Sequence, residues 1–80
     1  MKNTQVAVIG LGRFGITVAT TLYQMGHDVL AIDLDSNKVQ DLAGQVTYAV
    51  AADATDEASM RELGIENFEY AVVAIGANTE

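Results

Sequence analysis

The 80 residues contain no cysteine, which removes disulfides and thiolate metal sites from consideration and fits a reducing compartment. Proline is also absent, and no repeat, low-complexity segment or linker interrupts the chain. Cations are scarce: four Lys and Arg face eleven Asp and Glu, for a net charge of −7. Nucleic-acid binding, driven mainly by neutralising phosphates, is therefore disfavoured. The acids are scattered rather than blocked, so they do not form an acidic tail. No apolar run approaches the roughly 18 residues of a membrane span, so no direct membrane insertion is expected. Nor does a leader pattern appear, since Met1 to Thr4 run straight into apolar sequence. The one histidine, His27, has no second histidine to pair with and reads as an exposed loop residue.

Half of the residues are apolar, which suits a globular fold and argues against disorder. The length allows one domain with a modest core, burying roughly 60–65% of the unfolded surface. The organising stretch is Val6-Ala7-Val8-Ile9-Gly10-Leu11-Gly12-Arg13-Phe14-Gly15. Four apolar residues lead into glycines spaced G-x-G-x-x-G, and an amphipathic run follows. In a dinucleotide fold the first glycine makes a tight turn and the second admits a pyrophosphate. The third lets the helix close on the sheet. Phosphates then meet the free amides and positive dipole end of that helix. Val29 to Ile32 reads as a second strand ending at Asp33, 18 positions after Gly15, near the offset of a ribose-binding carboxylate.

The remaining pattern continues the alternation. Strands are expected at Gln5 to Ile9, Val29 to Ile32, Thr47 to Ala52 and Tyr70 to Ile75. Helices are expected from about Arg13 to Met25, after Asp35 or Ser36, and after Thr55 or Asp56. Phe14, Val18, Leu22 and Met25 recur at helical spacing and predict the core face of the first helix, with Gly26 as its stop. Tyr23 joins that stripe, and Gly15 and Ala19, small on a neighbouring line, should allow close approach to the sheet. Val39, Leu42 and Ala43 should face inward from the second helix, and Phe68 and Tyr70 should pack beneath the fourth strand. Gly44 and Gly64 are expected helix stops. The order β-α-β-α-β-α-β predicts an α/β, Rossmann-like half-domain of three layers. Its parallel sheet should run 3-2-1-4, with two helices on one face and one on the other. The ligand crevice falls at the C-terminal edge of strands one and four, where the strand order reverses. The apolar fourth strand is an exposed edge, so self-association is expected.

Among single residues, Arg13 is a poor partner for a helix dipole and a good one for phosphate oxygens. Asp33 accepts from ribose hydroxyls and repels a 2′-phosphate. Asp35, two residues on, reads as a helix cap; the Asp33–Asp35 pair suggests a metal less well than a ribose. Asp53 fits adenine contact and helix-cap duty equally. No residue stands as general acid or base at the crevice, and the chain reads as no enzyme. Two rival readings remain: the cofactor half of an NAD-dependent oxidoreductase, and an engineered structural half-fold without ligand.

Over Ile9 to Gly15, Met25 to Asp33, Ala52-Asp53-Ala54-Thr55, Leu63-Gly64-Ile65 and Asn67 to Gly76, the sequence resembles the N-terminal lobe of the regulator-of-potassium-conductance (RCK) domains. These are the nucleotide-binding subunits of Trk and Ktr potassium uptake. The last stretch looks especially like the Ktr subunits, and the resemblance covers essentially all 80 residues. It implies a cytoplasmic ring beneath a membrane potassium-transporter subunit, a homo-oligomer whose shape is changed by ATP, ADP or NAD(H) to gate ion flow. By position it implies that Gly10, Gly12, Arg13 and Gly15 hold phosphates, with Phe14 carried in the same turn. Asp33 would take the ribose hydroxyls, Ala52 and Asp53 would border the adenine, and Ile75 and Gly76 would line the crevice. Lobes of this family continue into further strands and a ring-building helix. Residues 1–80 therefore read as the first part of such a domain, a fragment or an engineered half-domain.

Overall fold

The computed structural model describes residues 4–74. Its elements are β1 (Gln5–Ile9), α1 (Arg13–Gln24), β2 (Asp28–Asp33), α2 (Ser36–Leu42), β3 (Tyr48–Ala51), α3 (Glu57–Glu62), a single 3₁₀ turn (Ile65–Asn67) and β4 (Tyr70–Val73). The four strands form one parallel sheet in the order β3-β2-β1-β4, as the alternation predicts. Ile75 and Gly76, and with them the expected end of the fourth strand, lie outside the described residues.

Register puts Val8 beside Ala31 on one side and Val72 on the other, and Ala31 beside Ala49. These residues share a face of the sheet. They pack with Ala19 of α1 and Val39 and Leu42 of α2 into one core, so α1 and α2 cover the same face. Ala7, Leu30 and Ile32, offset by one position, are also buried. The return from β3 to β4 runs the other way along the sheet, so the same crossover handedness places α3 on that second face. No residue of α3 is fully buried.

Several expectations about packing are corrected. In α1, Gly15 and Ala19 reach the sheet as expected, with Val18 and Leu22 beside them, but the rest of the apolar stripe does not. Phe14 and Met25 are each 66% exposed, and Tyr23 is exposed as well. Small side chains let the helix seat on the Gly15–Ala19–Leu22 line, which turns Phe14 and Met25 roughly a quarter turn away from the sheet. Ala43 is exposed because α2 ends at Leu42. Tyr70 is 64% exposed: it lies beside Val6, but on the edge strand of the sheet, with no strand on its other side. Phe68 is half-buried.

The stop of α1 follows the expected chemistry. Gly26 takes φ +96°, its amide donates to the Tyr23 carbonyl at 3.0 Å, and the His27 amide donates to Leu22 at 3.1 Å. These two bonds satisfy carbonyls that a helix end leaves open. A left-handed Gly64 plays the same part after α3.

Candidate functional site

The carboxyl ends of the strands bring most of the predicted residues to one edge. The Gly10 amide donates to the Ile32 carbonyl at 2.8 Å, the Ala52 amide to Asp33 at 3.0 Å and the Ala74 amide to Ile9 at 2.7 Å. The glycine-rich loop, Asp33 and the Ala52-Asp53 pair therefore leave neighbouring strands at the same level.

Each glycine of the loop meets a different constraint. Gly10 has φ +98°, a left-handed conformation that ends the strand and turns the chain. A Cβ on Gly15 would overlap the Gly10 carbonyl oxygen, lie 2.9 Å from the Gly10 carbonyl carbon and sit 3.4 Å from Ala74 Cβ. The first turn of α1 thus rests on the end of β1, and only glycine permits the approach. A Cβ on Gly12 would meet nothing within 4 Å. The open side of the loop is therefore in front of Gly12, at the start of the helix.

That start has no protein cap. Gly12 is the N-cap residue of α1, no side chain bonds there, and no acid lies in the first turn. The first amides of a helix lack intrahelical acceptors. Arg13, exposed beside them, adds a positive charge to the positive end of the dipole. The arrangement offers amides and a guanidinium to an anion. Phe14 stands exposed in the same turn.

Asp33 is half-buried and uses both oxygens. Oδ2 accepts from the Leu11 amide at 2.7 Å and Oδ1 from the Asp35 amide at 2.8 Å. An ionised carboxylate has about four acceptor positions, so capacity remains for hydroxyl donors. Asp35 caps α2 by accepting from the Asn37 amide at 2.9 Å.

Asp53 is exposed and does not cap α3; Asp56 does, accepting from the Ala58 amide at 3.0 Å. Asp53 Oδ1 accepts from the Thr55 hydroxyl at 2.6 Å and the Thr55 amide at 2.8 Å. These bonds, the hydroxyl first, favour the ionised form and hold the Asp53 pKa below its ordinary value. Ala52 beside it is half-buried.

Two residues at this edge were not singled out from the sequence. Leu11 lies between the first two glycines, yet its side chain is fully buried while its amide binds Asp33. An apolar residue inside a glycine loop is the available signal. Leu34, directly after Asp33, is 72% exposed, an apolar surface beside the carboxylate.

His27 lies elsewhere, before β2 at the opposite end of the sheet. It is half-buried rather than exposed, and its Nδ1 is buried without a hydrogen-bond partner. At that end Gln5, Asp28, Tyr48 and Phe68 border a shallow cavity of about 180 Å³, remote from the glycine loop. Among the described residues no group of three or more His, Cys, Asp or Glu could hold a metal, and no helix is long and apolar enough to cross a membrane.

The TrkA-N domain family matches residues 6–80. Over all 80 residues the chain is 54% identical to the Ktr system potassium uptake protein A of Bacillus subtilis and covers 36% of that protein. It is 43% identical over 76 residues to the Ktr system potassium uptake protein C of the same organism, which is 95% of this chain and 34% of that one. It is 42% identical, with the same coverage of each chain, to the Ktr system potassium uptake protein A of Vibrio alginolyticus. The chain thus spans about a third of the length of these curated relatives.

Proposed function

Because the chain belongs to the TrkA-N domain family, we propose that residues 1–80 form the N-terminal part of a Rossmann-type domain that binds an adenine nucleotide, ATP, ADP or NAD(H), and regulates potassium uptake. The observation that carries this reading is one juxtaposition. The uncapped amide end of α1 lies beside a carboxylate that the Leu11 amide ties to the same loop. Phosphates sit against the amides that follow Gly12 and against Arg13, and the ribose diol donates to the remaining acceptor positions of Asp33. Ala52 and Asp53 border the adenine and Phe14 completes the crevice; Ile75 and Gly76, outside the described residues, are assigned to it by the family resemblance alone. The domain performs no chemistry of its own. Nucleotide exchange changes its shape, and a membrane potassium-transporter subunit on the cytoplasmic side reads that shape. The exposed edge of β4 takes part in self-association, which light scattering at increasing concentration measures.

Supporting this reading are the names of the three relatives given above, each a potassium uptake protein, and a loop whose second glycine opens onto free space. The test is titration calorimetry with ATP, ADP, AMP, NAD and NADH. Binding of at least one is expected, and Asp33→Ala should weaken it by about 1–3 kcal/mol through loss of charge-assisted hydrogen bonds. Heat signals absent for every nucleotide would remove the reading.

A further inference from the structure

We propose that Asp33 is a positioning residue for the glycine-rich loop as well as a ligand for ribose, so that it shapes the phosphate site without touching phosphate. The inference deepens the nucleotide reading and rests on it for the identity of the ligand, but its geometry stands in the free protein. The parallel ladder between β1 and β2 ends with the Gly10 amide on the Ile32 carbonyl. The positive φ of Gly10 then turns the chain, and the next amide, that of Leu11, leaves the ladder. It finds the Asp33 carboxylate instead of a backbone carbonyl. Leu11 is fully buried, so without Asp33 its amide would lose a partner in a place water does not easily reach.

The other carboxylate oxygen holds the Asp35 amide, and Asp35 in turn holds the Asn37 amide at the start of α2. One side chain therefore fixes the loop that leads into α1 and the loop that leads into α2. A ribose-only carboxylate has no need of either bond. Here the residue that meets the sugar also sets where Gly12 and the first amides of α1 stand.

Two measurements on the 80-residue chain test this. The first is amide hydrogen exchange without ligand, in the unsubstituted protein, Asp33→Asn and Asp33→Ala, with the Val8 and Ile32 amides as internal controls. Asn keeps one carbonyl oxygen for the short Asp35 turn and presents its NH₂ to Leu11. The Leu11 amide should exchange at least about tenfold faster in both variants, while the controls change less. The second is affinity for inorganic tripolyphosphate, which has no ribose. Removing a negative charge should by itself strengthen binding of this anion. Positioning predicts the opposite, a several-fold weaker binding in Asp33→Asn. Unchanged Leu11 exchange would overturn the proposal, as would tripolyphosphate binding that holds or improves. Failure of every nucleotide to bind the unsubstituted protein would remove the ligand assignment and leave the exchange result to stand alone.

Discussion

Three helices rise from the same edge of one sheet, and their first turns differ. α2 and α3 each begin with an aspartate whose carboxylate accepts an amide of the first turn, Asp35 from Asn37 and Asp56 from Ala58. α3 adds Glu57 beside its cap. α1 begins with glycine and then a cation, with no acid in its first turn. Length explains part of the contrast. With seven and six residues, α2 and α3 are too short to hold themselves, whereas α1 has twelve and seats Gly15 and Ala19 against the sheet. A longer helix loses proportionately less by leaving its first amides open. The open end is where the proposed phosphates bind.

The contrast can be broken in steps. The largest effect should come from Gly15→Val. The new side chain meets the Gly10 carbonyl and must push α1 off the sheet, at a cost of about 3 kcal/mol or more in urea denaturation. Equal stability of this variant would mean that packing does not hold α1. Removing a protein cap is expected to do less. Asp35→Ala and Asp56→Ala should each lose about 1 kcal/mol in the same assay, with or without nucleotide. Supplying the missing cap should act in the opposite direction. Gly12→Asp has open space for its Cβ and an extended backbone suited to a cap. It should stabilise the free protein by about 0.5 kcal/mol and abolish nucleotide binding in calorimetry. A variant that binds as before would place the phosphates elsewhere.

The smallest effect concerns Asp53. Its folded pKa lies below the ordinary value of 3.8, so its bonds to Thr55 favour folding when the carboxylate is ionised. That contribution is complete above the unfolded pKa. It disappears as pH falls through the folded value, because protonation then costs the folded state its advantage. The stability gap between the unsubstituted protein and Thr55→Ala should therefore be constant at neutral pH and narrow in acid below pH 3.8. A gap that widens in acid would contradict the assignment.

How much could be read without coordinates varies along the chain. The bounds of β1 and the stop at Gly26 were legible because each follows from local chemistry, an apolar run or a residue free to take positive φ. The core face of α1 departs from the apolar periodicity at Phe14 and Met25, while the neighbouring line of small residues, Gly15 and Ala19, is where the helix meets the sheet. Gly15 and Ala19 decide the face by permitting contact, a property of two surfaces rather than of one helix. Tyr70 was misjudged for a related reason: its residue type suits a buried strand, and only its place at the sheet edge leaves it exposed. At the site, the glycine spacing and the offset of Asp33 were legible. The bond from Leu11 to Asp33 was not, since it joins residues 22 positions apart through a turn that no local pattern describes.

The sequence by itself determined the alternation of strands and helices, the glycine turn and the acid at the end of β2, because each depends on backbone freedom and side-chain type within a few neighbours. Only the tertiary structure decided which helix end stays uncapped and open, which oxygen of Asp33 serves which loop, and which apolar side chains remain outside the core. Those outcomes depend on how closely α1 can approach the sheet, and that distance is set by the carbonyl of Gly10 meeting a residue without a side chain.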